Sequence, residues 1–218
     1  MPDDEQRTAS TTCIVAGGGP AGMMLGLLLA RAGVDVTVME KHADFLRDFR
    51  GDTVHASTLR LLDDLGLGEQ FARMPHREID KLSLDVQGTA VTMDLRRIPG
   101  PHKHIALVPQ WDFLELLATA AEKEPTFTLL RSTEVLGPIV RNDTVVGVRY
   151  RSPDGQVRAM HAPLTVACDG RSSTLRAAMG IGRRASARRW TCGGSGCRAT
   201  PTTRTASPGC SAPGMPRS

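Results

Sequence analysis

The chain has 218 residues, 40% of them hydrophobic, enough for one large domain or two small ones with a real core. Its formal charge of +4 belongs to one end: residues 182–218 carry seven Arg and no acid, which leaves 20 basic against 23 acidic residues, or −3, for 1–181. A nucleic-acid reading would rest on that tail alone, the polar first ten residues hold no signal-peptide core, and the longest apolar run, 23–30, is too short for a bilayer.

Residues 13–16, CIVA, read as a short buried parallel strand. Gly17, Gly19 and Gly22 follow at G-x-G-x-x-G spacing, and an apolar run predicts a helix over 20–32. Pro20 sits in its first turn, where a missing N–H costs little, and Gly33 stops it. A second β-branched strand, 34–39, ends on Glu40. Gly17 permits the tight turn, Gly19 lets a pyrophosphate approach the backbone, and Gly22 lets the helix lie close on the sheet. The helix start, with Pro20 and Ala21, offers backbone groups to phosphate oxygens. Glu40 is placed to accept hydrogen bonds from a ribose, with Lys41 beside it. An acid there repels a 2′-phosphate, which argues against NADP in this pocket. The pattern predicts dinucleotide binding; the alternative is a glycine-rich turn in an unrelated βαβ unit.

Residues 41–48 read as a loop, and Arg50 and Gly51 as an irregular piece before a helix over 55–65. From Ile79 the period changes to two. Strands over 79–88 and 89–98, with a third over 104–108, predict a small antiparallel sheet. Gln110 opens a helix, 127–130 is a short strand, and 134–140 with 145–151 form a hairpin around Asn142 and Asp143. Residues 152–155 are a strong turn, after which 157–162 pairs back. A buried strand over 164–167 runs straight into the turn at Asp169 and Gly170, at the carboxyl end of a sheet strand, where open α/β sheets bind ligands. Cys13 and Cys168 read as reduced, buried small hydrophobes. His55, His102 and His104 show no metal-ligand spacing, and no metal site is expected.

Three separated motifs agree with one family. GGGPAG with Glu40, FRGDTVHASTLRLLDDLGL with Arg50, and ACDGRSSTLR with Asp169, Gly170 and Arg176 resemble the FAD-dependent aromatic-ring hydroxylases of the p-hydroxybenzoate hydroxylase fold. LVPQWDFLELLA fits too, with Gln110 at the position of a flavin-contacting Gln. The resemblance covers about 11–180. It implies an α/β fold: a Rossmann-like FAD-binding domain with a parallel sheet over 11–181, in which 79–108 begins a substrate-domain sheet. It places Gly17, Gly19, Pro20, Ala21, Gly22, Glu40, Lys41, Arg50, Gln110, Asp169 and Gly170 around FAD. It also implies a cytoplasmic oxidoreductase that uses NAD(P)H and O2 to hydroxylate an aromatic or similar small molecule through a flavin C4a-hydroperoxide. Another reaction on the same scaffold, isoprenoid reduction or halogenation, and a non-catalytic nucleotide-binding remnant stay open as alternatives.

Residues 1–10 and 182–218 are expected to be disordered: the tail has no Leu, Ile, Val or Phe. A back-translation of residues 190–204 read from the third base permits a segment like the family's next strand and turn. A frame shift near Gly182 is therefore the expectation, and with it an incomplete, weakly active or inactive form of the enzyme.

Overall fold

A computed structural model describes residues 9–46, 51–86 and 88–182. In chain order the elements are β1 (Ala9–Ser10), β2 (Cys13–Ala16), α1 (Pro20–Arg31), β3 (Val36–Met39), β4 (Gly51–Val54), α2 (Ala56–Asp64), α3 (Gly68–Ala72), β5 (Arg77–Ile79), β6 (Lys81–Val86) and β7 (Thr89–Asp94). They continue with β8 (Ile105–Pro109), α4 (Gln110–Ala121), β9 (Phe127–Leu130), β10 (Glu134–Arg141), β11 (Thr144–Arg151), β12 (Val157–His161), β13 (Leu164–Ala167) and α5 (Thr174–Ala178). Two units are distinguished: residues 83–92, in the β6–β7 hairpin, and the rest of the described chain.

The centre of the larger unit is a parallel sheet in the order β13-β2-β3-β9. Every residue of β2 and β3 is buried, which is why both read as unbroken apolar or β-branched runs rather than alternating ones. Cys13, Val15, Val36 and Val38 pack with Met23 and Leu27 of α1 and Leu114, Leu117 and Ala118 of α4. Ile14, Ala16 and Met39 join a second cluster with Val148, Tyr150, Met160 and Leu175. The second cluster draws on the sheet β1-β12-β11-β10, whose β10–β11 turn has Asn142 and Asp143 at φ 49° and 58°. That two-residue, left-handed turn is what Asn-Asp between two strands encodes.

Several expectations need correction. The third strand, β8, meets the expected 79–98 hairpin only at Ile79 and pairs with neither β6 nor β7; it pairs antiparallel with β4 on one side and β5 on the other. β6 and β7 pair with each other alone among the described residues. Alternation marks a strand but carries no information about its partner. β4 forms where an irregular piece was expected: its sequence, GDTV, holds a single apolar residue, the buried Val54, and leaves no pattern to read. Ala9 and Ser10 form a strand beside β12, so order begins before residue 11. α3 is additional. β13 was expected to be buried, yet Leu164 is 51% exposed, since the strand pairs on one side only, with β2. The expected tail and residues 1–8 lie outside the described residues.

α1 approaches the sheet through Gly26, where an added Cβ would lie 2.7 Å from Val38 Cγ2 and 2.8 Å from Phe127 Cε2. Alanine normally gains about 1 kcal/mol over glycine within a helix, whereas overpacking a closed core costs about 1–3 kcal/mol. Gly26→Ala is therefore expected to lower stability rather than raise it. Urea denaturation reads the sign, and a rise in midpoint at unchanged slope would show that the contact relaxes freely.

Candidate functional site

The carboxyl ends of β2, β3 and β13 open onto one cleft of about 870 Å³. The size and place suit a ligand site at the edge of an open α/β sheet. The cleft gathers Gly17, Gly19, Glu40, Lys41, Gln110, Asp169 and Gly170, seven candidates drawn from four separate stretches of chain. Pro20, Ala21 and Gly22 occupy the first positions of α1 behind it. Arg50 lies outside the described residues.

Close backbone packing makes the turn after β2. Gly17 has φ 107°, and a Cβ there would stand 2.4 Å from the carbonyl oxygen of Cys168. A Cβ on Gly22 would stand 1.9 Å from the carbonyl oxygen of Gly17. Around a Cβ on Gly19 there is nothing within 4 Å, so the residue leaves open space where the helix begins. α1 has no side-chain cap and no acid in its first turn. Its N-terminus is therefore suited to an anion.

Glu40 is 3% exposed and closes the loops after β2 and β3 on each other. Its Oε2 accepts the Gly18 N–H at 2.9 Å. Its Oε1 accepts the His42 N–H at 2.9 Å and lies 2.8 Å from His42 Nδ1. Its backbone is held from β9: Glu40 N–H donates to Leu130 O and Thr133 N–H donates to Glu40 O, both at 2.8 Å. Gly18 and His42 went unnoticed in the sequence. Gly18 occupies a variable place in the glycine pattern, but a Cβ there would meet Glu40 Cβ at 2.8 Å.

The turn after β13 forms the far wall. Cys168 N–H donates to Ala16 O at 2.7 Å, which seats it against the glycine turn. Asp169 Oδ2 accepts the Leu175 N–H at 3.2 Å, while the N-cap of α5 is Ser173, not Asp169. Asp169 Oδ1 is buried and meets no hydrogen-bond partner among the described residues. A buried carboxylate oxygen without a donor is costly unless a ligand supplies one. Arg176 closes the turn by donating to Gly170 O at 3.3 Å and Arg171 O at 2.6 Å. Gln110 opens α4 at the end of β8.

Cys168 departs from its expected role: it is half-buried and its residue lines the cleft. Burial first, and the neighbouring Asp169 second, push its thiol up. Of the histidines without metal-ligand spacing, His102 Nε2 lies 2.6 Å from Asp63 Oδ2 and His104 Nε2 lies 3.5 Å from Glu78 Oε1, which His76 Nε2 also approaches, at 3.7 Å. Among the described residues no three His, Cys, Asp or Glu side chains could hold a metal ion.

The family model described as FAD binding domain matches residues 10–210, past the 180–182 at which the motif resemblance ends. 6-Methylpretetramide 4-monooxygenase of Streptomyces rimosus is 37% identical over 175 residues, 79% of this chain and 41% of its own length. Anhydrotetracycline hydroxylase from Streptomyces rimosus superposes with a TM-score of 0.68 at 31% identity, over 78% of this chain and 34% of that one. A myxobacterial chondrochloren halogenase, at 23% identity and a TM-score of 0.69 over 78% of this chain and 39% of its own, shares the fold. The chain thus spans about two fifths or less of the length of these proteins.

The raised Cys168 thiol carries less thiolate at a given pH than a free cysteine, and thiolate is the reactive form. Alkylation of Cys168 by iodoacetamide at pH 7.5 is expected to lag behind a model thiol, and to go on rising with pH after the model thiol has levelled off. Site-resolved mass spectrometry measures the rate; alkylation as fast as that of the model thiol at pH 7.5 would contradict the placement.

Proposed function

The chain belongs to the FAD binding domain family, and from that premise we propose that its cleft holds FAD for an NAD(P)H- and O2-dependent monooxygenase acting on a small aromatic or similar organic molecule. The observation that carries this reading is the meeting of an uncapped helix start, a buried Glu40 and the Asp169–Gly170 turn in one cleft. The residues fit the cofactor. The glycine turn leaves open space before α1 at Gly19, and Asp169 Oδ1 is a buried acceptor that a ligand donor would satisfy.

Gly19, Pro20, Ala21 and Gly22 bring the positive end of α1 to the pyrophosphate. Glu40 accepts from the adenosine ribose, with Lys41 beside it. Gln110, Asp169 and Gly170 make further contacts, and Arg50 adds one from the stretch before β4. FAD, when bound, supplies the redox chemistry; the chain's own residues bind it, orient it and exclude water. The monooxygenase class is supported by the names of the two Streptomyces rimosus proteins at 37% and 31% identity, a 6-methylpretetramide 4-monooxygenase and an anhydrotetracycline hydroxylase. No helix of the described residues is long and apolar enough to cross a membrane.

Titration with FAD is expected to quench flavin fluorescence. Glu40→Ala removes a hydrogen bond to a charged acceptor, a loss of about 1.5–3 kcal/mol, so affinity should fall roughly 10- to 150-fold. Unchanged affinity in a variant that still melts cooperatively would remove Glu40 from the site. Oxygen uptake with NADH or NADPH, stimulated by a phenolic compound, tests the monooxygenase half.

A further inference from the structure

We propose that the His42 imidazole holds, in the cofactor-free protein, the place on Glu40 that a ribose hydroxyl takes on binding, and that it thereby makes FAD affinity depend on pH. The proposal rests on reading the cleft as the FAD site. Glu40 lines that cleft but is 3% exposed, whereas the His42 side chain is 42% exposed and lines the same wall. A carboxylate oxygen accepts about two donors. Both places on Oε1 are taken, one by the His42 N–H at 2.9 Å and one by His42 Nδ1 at 2.8 Å. A hydroxyl that donates to Oε1 must replace one of them.

The amide is not free to leave. His42 O accepts the Ser132 N–H at 3.0 Å, and the Glu40 backbone is tied to Leu130 and Thr133. The imidazole turns on two side-chain torsions at the surface, so the ring is the donor that yields. His42 is thus a positioning residue: it keeps Glu40 aimed at Gly18 while the site is empty and competes with the ribose for Oε1.

Nδ1 must carry a proton to donate to a carboxylate. A neutral ring makes an ordinary hydrogen bond there, and an imidazolium makes a charge-assisted one that is harder to displace. Among the described residues the charged neighbours are Lys41 and Asp44 on the same loop, Arg131 and Glu134 at the adjoining strand ends, and Asp169 and Arg171 across the cleft, with the Cys168 thiol pushed up. Of these group types only imidazole ordinarily changes charge between about pH 5.5 and 8. Affinity should therefore weaken as pH falls through that window.

The test is FAD titration of the full chain and two variants from pH 5.5 to 8.5, with circular dichroism to confirm folding. Wild type is expected to bind roughly two- to tenfold more weakly at pH 5.5 than at 8.5, the span of one modest hydrogen bond. His42→Ala is expected to bind as tightly at pH 5.5 as at 8.5, and more tightly than wild type at pH 5.5. His42→Asn keeps a side-chain N–H near Oε1 without a titrating ring, and should show a flat profile near the wild-type affinity at high pH. A His42→Ala variant that binds more weakly than wild type, or keeps the wild-type slope, overturns the proposal. If His42→Ala does not fold, a His42→Asn profile that still slopes overturns it alone. Wild type that takes up no FAD at any pH removes the cofactor reading as well, whereas binding with a flat wild-type profile removes only the role of His42.

Discussion

The backbones of Gly17, Gly22 and Cys168 meet where β2 gives way to α1, and at the two glycines they leave no room for a side chain. At Gly17 a Cβ would sit 2.4 Å from the Cys168 carbonyl oxygen, and at Gly22 another would sit 1.9 Å from the Gly17 carbonyl oxygen. Backbone cannot swing aside as a lysine tip can, so these contacts fix the distance between the glycine turn and the turn after β13. The Cys168 N–H to Ala16 O hydrogen bond, at 2.7 Å, and the register Ala167↔Ala16 hold the same spacing from the strand side. The two walls of the cleft are therefore set by packing among main chains, before any ligand contributes.

Burial of Glu40 follows from that geometry and also supports it. An ionised carboxylate leaves water at high cost unless donors meet its oxygens. Here the donors are supplied by two loops, through Gly18 and His42, so the charge binds together the elements that surround it. Asp169 is treated differently. One oxygen receives the Leu175 N–H and the other meets no protein donor. The two acids differ in how far the protein itself has satisfied them, and that difference separates an organising acid from one with unused capacity toward the cleft.

Elements whose signal is local were legible in the sequence. β2, β3 and α1 stood out because both faces of the central strands are buried and the glycine spacing sits between them. The β10–β11 turn was legible because Asn142 and Asp143 tolerate positive φ. What failed was pairing over distance. β8 carries the pattern of a strand, yet nothing within it says that Asp52 and Glu78 will be its neighbours' residues opposite Val108 and Ala106. β4 had too little apolar content to be seen. In the site, Glu40 and Asp169 were found by position in known motifs. Gly18 and His42 were missed because their importance depends on where the Glu40 side chain turns, which spacing does not encode.

The Asp169–Gly170 turn has a second face. A groove of about 440 Å³ lies beyond it, lined by Thr165, Ala167, Leu175, Met179 and Ile181 together with Asp169 and Gly170 themselves. Two residues thus belong to both the cleft and the groove, and Thr165 Oγ1, like Asp169 Oδ1, is buried without a partner. β13 reaches the turn as an edge strand with Leu164 half in solvent, while its other edge is paired with fully buried β2. The turn is consequently anchored firmly on the side of the glycine loop and by α5 through Arg176 and Leu175, but by little on the groove side. The position of the loop after β13 thus rests on the main-chain contact with Gly17 and on its hydrogen bonds to α5.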